Sequence, residues 1–344
     1  MDVARQAGVS ITTVSRVLNP KGGYPVATAT RERVMAAAAA LQYSPSALAR
    51  ALVTRRSHIV GALVSDIVDP YFAELVGGLE EVARSAGYLV IVCTTSRDPE
   101  IQRRYIATLR DYHADALILF GGEFVDRAER RLLDRELERA ARQGAVAVAV
   151  AGEHAGLGTV DVDQRRAAAD MTRYLIELGH RRIAFIAGPR RVSTVPERLR
   201  GFVDTMQATG LDPELIADSD FSYDGGQRAT VDLLRQRPTA IFAANDQMAL
   251  GALAAAHAAG VAVPAELSVV GFGDTMPARH ALPALTTVFM PRHRLGAEAM
   301  KAVLDALESG TTQVAPRRLP HRLVYRASSA PPASAPTRES QGGT

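Results

Sequence analysis

The sequence predicts an α/β protein: two doubly wound parallel-sheet lobes preceded by a three-helix module and a short hinge helix. Three observations carry that expectation. Apolar runs of strand length alternate with amphipathic stretches in two successive series over residues 59–327, the pattern of parallel sheets covered on both faces. The first 43 residues hold short helical stretches around a tight glycine turn at Gly8–Val9. Charge is also lopsided. Residues 1–58 carry eight basic and two acidic side chains, a formal +6, whereas the other 286 residues sum to −3. A basic module ahead of a mildly acidic body points towards a polyanionic partner.

Taking the elements in order, Asp2–Ala7 is a first helical stub. Ser10 is a residue type that accepts from free backbone N–H groups, so a second helix is predicted from Ile11 to Leu18. Val14, Val17 and Leu18 stand at i, i+3 and i+4 and bury one face. The opposite face presents Ile11, Thr12, Ser15, Arg16 and Asn19, with no acid among them. An ordinary amphipathic surface helix would show the same spacing, so context decides. Two helices joined by so tight a turn form a helix-turn-helix, whose second helix enters the major groove of DNA. A loop with Pro20, Gly22, Gly23 and Pro25 leads to a third helix from about Thr28 to Leu41, whose Ala36–Ala40 run favours helix with little bulk.

Residues 44–57, SPSALARALVTRRS, follow. Pro45 breaks the third helix, and Ala47–Leu52 offers barely two turns, too few to be stable alone in water. The segment reads either as a helix that orders on binding or as a plain basic linker. Beyond it, HIVGALVS, YLVIVCTT, ADALILFG and AVAVAVA form a first strand series, and GTVDVD, RIAFIAG, AIFAAN and LSVVGFG a second. Between two such lobes a ligand collects at the strand ends. The end of the chain, ASSAPPASAPTRESQGGT, lacks apolar periodicity and is predicted to be disordered. The expected division is a helix-turn-helix domain at 1–43, a hinge at 44–58, a two-lobed core at 59–327 and a disordered tail at 328–344.

Several function classes are disfavoured. Cys93 is the single cysteine, so an intrachain disulfide and a zinc site of several thiolates are excluded. No basic-then-apolar leader opens the chain, and Met248–Ala265, its least charged stretch, contains His257 among alanines and glycines; a soluble, cytoplasmic protein is expected. There is no G-x-S-x-G elbow, H-E-x-x-H pair or P-loop, and GFGD lacks the third glycine of a dinucleotide fingerprint. No catalysis, cofactor or metal is expected. A secreted binding protein would not need the +6 module, whereas a DNA-binding regulator accounts for every segment.

The residues also resemble a known family. DVARQAGVSITTVSRVLN at 2–19, YSPSALARAL at 43–52, DPYFAELVGGLEEVARSAGY at 69–88, LIELGHRRIAFIAGP at 175–189, ANDQMALGAL at 244–253, and LSVVGFGD with PALTTV near 267–288 are similar, in that order, to the lactose-repressor (LacI/GalR) type of bacterial transcription regulators. The resemblance implies a homodimer on a near-palindromic operator, with a core like that of periplasmic sugar-binding proteins holding a small, carbohydrate-type effector. It places Ile11 and Thr12 at the two major-groove positions, where Ile11 offers apolar contact to a thymine methyl and Thr12 a hydroxyl. It assigns Ser10, Ser15, Arg16 and Asn19 to phosphates or base edges. Ala49, Arg50 and Leu52 fall in the hinge, Leu52 at the leucine wedged into the minor groove. For the effector it implies Ser65, Asp69, Tyr71 and Phe72 from one lobe and Arg198, Phe221, Asn245 and Asp274 from the other. Bidentate planar groups with an aromatic surface suit a ligand of vicinal hydroxyls and an apolar face. Two departures stand out. Ala27 occupies a position where Ser often caps the third helix, leaving Thr28 as the expected cap. Gly273 precedes Asp274 where many relatives have two adjacent acids.

Overall fold

The computed structural model describes residues 2–18, 26–43, 56–121, 126–152 and 156–333. They fall into two compact units, residues 1–58 and 59–344.

In the first unit, α1 (Asp2–Ala7), α2 (Ile11–Leu18) and α3 (Thr28–Ala40) enclose Val3, Ala4, Ala7, Val14, Val17, Val34, Ala37 and Ala38. Gly8 takes φ +62°, the left-handed turn that glycine permits, and the Val9 N–H donates to the Ala4 carbonyl at 3.0 Å. Ser10 Oγ accepts from the Thr13 N–H at 3.1 Å, as expected of the cap of α2. The cap of α3 differs from expectation. Thr28 is already helical, and the capping position belongs to Ala27, which makes no side-chain hydrogen bond. Ala36–Ala40 is helical throughout, and small side chains are what so thin a core requires. The hinge helix expected at 47–52 lies outside the described residues, as do Asn19, Ala49, Arg50 and Leu52.

The second unit holds two six-stranded sheets. The first orders β11-β5-β4-β3-β1-β2, from β1 (Ile59–Val64), β2 (Leu89–Thr94), β3 (Ala116–Phe120), β4 (Val146–Val150), β5 (Gly158–Asp161) and β11 (Arg317–Arg318). The second orders β12-β10-β9-β8-β6-β7, from β6 (Ile183–Ala187), β7 (Ile216–Asp218), β8 (Ala240–Ala243), β9 (Ser268–Gly273), β10 (Thr286–Phe289) and β12 (Arg322–Val324). All neighbours are parallel except β10 and β12. The central strands are buried end to end, which explains their unbroken apolar runs. One strand changes lobe relative to the sequence reading: GTVDVD is β5, paired with β4 in the first sheet rather than opening the second.

Helices α4 (Pro70–Ser85), α5 (Pro99–Asp111) and α6 (Arg127–Arg142) cover the first sheet. Helices α7 (Gln164–Glu177), α8 (Thr194–Ala208), α9 (Tyr223–Leu234), α10 (Asp246–Ala258) and α11 (Met276–His280) belong with the second. The chain then returns, and α12 (Arg292–Ser309) packs on α4 and β4. The α4–α12 contact needs glycine: a Cβ on Gly78 would lie 1.8 Å from the His293 carbonyl oxygen, and one on Gly296 would lie 1.9 Å from that of Leu75. Three strands of chain therefore cross between the lobes, after β5, after β10 and after β11.

The expected tail begins too early. Ser328 is fully buried; its Oγ donates to the Val269 carbonyl at 2.6 Å and accepts from the Thr286 N–H at 2.8 Å. Residues 327–333 therefore belong to the second lobe, held by polar contacts that leave no periodicity to read.

Candidate functional site

Two regions collect the predicted residues. On α2, Val14 and Val17 are buried and Leu18 is half-buried, while Ile11, Thr12, Ser15 and Arg16 occupy the exposed face. Ile11 is 58% exposed. Ser10 sits at the head of the helix with its hydroxyl also within 2.9 Å of Thr13 Oγ1. The face is short, polar and free of acids, beside the positive end of the helix dipole.

The second region is a cleft at the C-terminal ends of the parallel strands of both lobes. Ser65 follows β1, Arg97 follows β2, Gly121 follows β3 and Ala151 follows β4; from the other lobe come Thr194 and Arg198 after β6, Phe221 after β7, Asn245 and Asp246 after β8, and Phe272 and Thr275 around the end of β9. The cleft holds about 610 Å³ of atom-free space, part of it continuous with solvent. Seven of the eight residues expected there line it: Ser65, Asp69, Tyr71, Phe72, Arg198, Phe221 and Asn245.

Local structure fixes each of them. Asp69 caps α4 by accepting from the Tyr71 N–H at 2.9 Å, and burial pushes its carboxyl above the usual range. That cap starts the helix so that Tyr71 and Phe72 lie on its first turn, edge to face at 5.2 Å. Burial likewise raises the Tyr71 phenol, keeping it a neutral donor. Asn245 caps α10, accepting from Met248 N–H, and its amide donates to the Phe221 carbonyl, both at 2.9 Å. Phe221 adopts φ +70°, and only Gly188 leaves room for its ring: a Cβ there would stand 2.3 Å from it. Arg97 and Ala151 also take positive φ. Three non-glycine residues of the cleft are thus held in left-handed conformations, a strain that concentrates where side chains must be aimed.

Arg198 is the most constrained group. It is buried, its guanidinium carbon lies 3.9 Å from the Phe272 ring centroid, Nε donates to Gln164 Oε1 at 2.9 Å, and Nη1 donates to the Ala244 carbonyl. Gln164 Nε2 in turn donates to Asp161 Oδ1 at 2.8 Å. Burial pushes the Asp161 carboxyl up to about 6, against the opposing pull of the Gln164 and Val162 hydrogen bonds and the Arg198 charge. The chain Asp161–Gln164–Arg198 starts at one crossing between the lobes and ends in the cleft.

Asp274 is a correction. It does not line the cleft; its Oδ1 accepts from Arg326 Nη2 at 2.6 Å and its Oδ2 lies 3.3 Å from Arg279 Nη2. At φ +59° its buried carboxylate is turned towards the end of the chain, in a structural pair. Besides Asp69, the carboxylate that lines the cleft is Asp246, which follows the same strand end as Asn245 but was not among the expected effector residues. Its Oδ1 accepts from Thr287 Oγ1 at 2.6 Å, and its Oδ2 accepts from the Thr275 N–H at 2.7 Å and Thr275 Oγ1 at 3.0 Å. Arg97, Thr194, Phe272 and Thr275 were also missed. Their common signal is position just after, or at the end of, an apolar strand run.

Comparison with known proteins agrees with this arrangement. Residues 1–46 match the model of bacterial regulatory proteins of the lacI family, and residues 172–329 match a periplasmic binding protein-like domain. The HTH-type transcriptional repressor PurR of Proteus mirabilis is 37% identical over 94% of this chain and 96% of its own length. The chain belongs to the lacI family of bacterial regulatory proteins. It is a sequence-specific DNA-binding transcriptional regulator, built of the helix-turn-helix and the two parallel-sheet lobes that family shares. A lac repressor dimer solved with operator and the anti-inducer ONPF superposes with a TM-score of 0.84 at 28% identity, covering 96% of this chain and 98% of that one. The regulator CelR, solved with cellobiose, gives 0.71 at 32% identity over 95% of this chain and 98% of that one. No helix among the described residues is long and apolar enough to cross a membrane.

Proposed function

We propose that this family member is a repressor that binds a near-palindromic operator as a homodimer, and that a small effector in the interlobe cleft sets its affinity. It works in the bacterial cytoplasm at the nucleoid and catalyses no reaction. The observation that carries the reading is the cleft itself, to which both lobes contribute strand-end residues, with Arg198 linked to a crossing through Gln164 and Asp161. A ligand there touches both lobes, so it binds some lobe arrangements better than others, and that differential affinity is what shifts the DNA-binding state.

In this reading Thr12 and Ile11 meet base edges, while Ser10, Ser15, Arg16 and Asn19 serve phosphates or base edges. Leu52, with Ala49 and Arg50 beside it, wedges into the minor groove at the operator centre. Pairing of two copies is supported by β2, an edge strand whose Leu89 is 62% exposed and whose Val92 is also exposed; an uncovered apolar edge is a liability that a partner removes. The cellobiose complex of CelR supports a carbohydrate-type ligand here. Footprinting of the purified protein on genomic DNA tests the proposal. A protected site of two inverted half-sites, lost when either half is scrambled, is expected; protection that survives with one half-site would reject the dimeric reading.

A further inference from the structure

Two guanidinium groups line the cleft, those of Arg97 and Arg198, and neither forms an ion pair with a carboxylate among the described residues. Around them the opposite holds: Arg190 pairs with Asp218 at 2.6 Å, Arg228 with Asp220 at 3.2 Å, and Arg292 with Glu74 at 2.8 Å. Arg198 spends Nε and Nη1 on Gln164 and the Ala244 carbonyl. Among the described residues Arg97 makes no hydrogen bond; its guanidinium lies over the ring of Phe221, 5.6 Å from the centroid, across the cleft from its own lobe. Stacking uses the face of the group and leaves the in-plane N–H donors unspent.

This is an expensive way to keep an arginine. Arg97 is half-buried, and it and Ser96 are consecutive non-glycine residues with positive φ, +55° and +52°. Asp98 then caps α5 through the Glu100 and Ile101 N–H groups, which fixes the loop's exit. Among the described residues no carboxylate stands within ion-pair distance of Arg97, although its charge acts on Asp69. Asp246 is already hydrogen-bonded by Thr287 and Thr275, Asp69 caps α4, and Asp274 is engaged by Arg326. Gly273 supplies none.

We propose that Arg97 is a specificity-determining residue that reads an anionic group, carboxylate or phosphate, on the effector, so that the ligand of this cleft is an acid rather than a neutral sugar. The inference rests on the reading of the cleft as the effector site. A planar guanidinium with free donors matches the two oxygens of either anion, and Phe221 and Phe72 provide the apolar surface beside it.

The test uses full-length protein and matched probes: glucose, glucuronate and glucose 6-phosphate, then ribose and ribose 5-phosphate, by calorimetric titration of wild type, Arg97→Gln and Arg198→Ala. At least one acid should bind wild type roughly tenfold or more tightly than its neutral counterpart, and Arg97→Gln should bring the pair to near parity. Preference for glucuronate identifies a carboxylate, and preference for a sugar phosphate identifies a phosphate. Neutral sugars binding as tightly as acids, no acid binding, or an acid preference that persists in Arg97→Gln (anion capture by the basic N-terminal module) would each overturn the proposal. A neutral sugar that binds wild type but not Arg198→Ala would do so while leaving the cleft as the effector site.

Discussion

Around α2, Ile11, Thr12, Ser15 and Arg16 stand on an exposed face above a core of four valines and four alanines; in the cleft, Arg198 is buried, stacked on Phe272 and tied through Gln164 to Asp161. The first arrangement leaves its functional groups to be ordered by a large polyanion. The second spends much of its hydrogen bonding before any ligand arrives, which lowers the entropy a small ligand must overcome. A helix that docks on a duplex needs a rigid backbone and a clean face. A cleft that must respond to a few polar atoms needs side chains already aimed.

The difference predicts very unequal salt dependence. Operator affinity should fall by roughly 10³-fold or more between about 50 and 200 mM salt, if a dimer neutralises some six or more phosphates. Fluorescence anisotropy at graded salt measures the slope, and a flat line would break the electrostatic account of the N-terminal module. Ligand affinity in the same buffers should change far less, because the described residues of the cleft carry two guanidinium groups and no extended charge lattice.

Next in size is the junction between the lobes. Arg292 is buried at the start of α12, where Nη2 reaches both Glu74 on α4 and, at 2.8 Å, the Asp274 carbonyl after β9. Arg292→Ala removes charge-assisted bonds and strands a half-exposed carboxylate, at a cost of about 3 kcal/mol. Denaturant unfolding of the two-lobed unit should show it; an unchanged midpoint would mean that the lobes hold together without this contact.

Smaller still is a pH effect. His180 is buried against Thr239, Ser268 and the Ala330 carbonyl, and burial holds its pKa below the ordinary value. The unfolded chain therefore takes up a proton near pH 6.5 that the folded chain resists. This contribution to stability is complete above that pH and is lost as pH falls below it. The melting temperature should drop between pH 7.5 and 5.5, and by less in His180→Asn; equal drops would clear His180 of the effect.

The same contrast governs what could be read from sequence. The helix-turn-helix is local: a capping Ser10, a left-handed Gly8 and valines at i and i+3 lie within ten residues, so its fold and its outward face are both visible in the string. Strands with unbroken apolar runs were equally plain. Which sheet they join was not, because GTVDVD lies next to a chain crossing and its partner β4 is set by topology. β7, β10 and β12 are three or four residues long, and the buried hydroxyls of Thr286 and Thr287 in β10 read as polar until their partners are known. Motif position found seven cleft residues but misplaced Asp274, since a backbone at φ +59° aims its carboxylate at Arg326, 52 positions away. Arg97 carried only the mark of following an apolar strand run. Its place depends on two left-handed residues and on a ring from the opposite lobe.

The central claim is that the cleft controls the DNA-binding face, and Arg198→Ala tests it most directly. Labelled operator, recovered by footprinting, is titrated with wild type and variant at increasing concentrations of whichever probe binds the wild-type cleft. In wild type the ligand should shift operator affinity. In the variant, loss of the guanidinium removes roughly 1.5–3 kcal/mol of ligand contacts, so the same shift should require about tenfold or more ligand. A variant that responds at the wild-type ligand concentration would contradict the account.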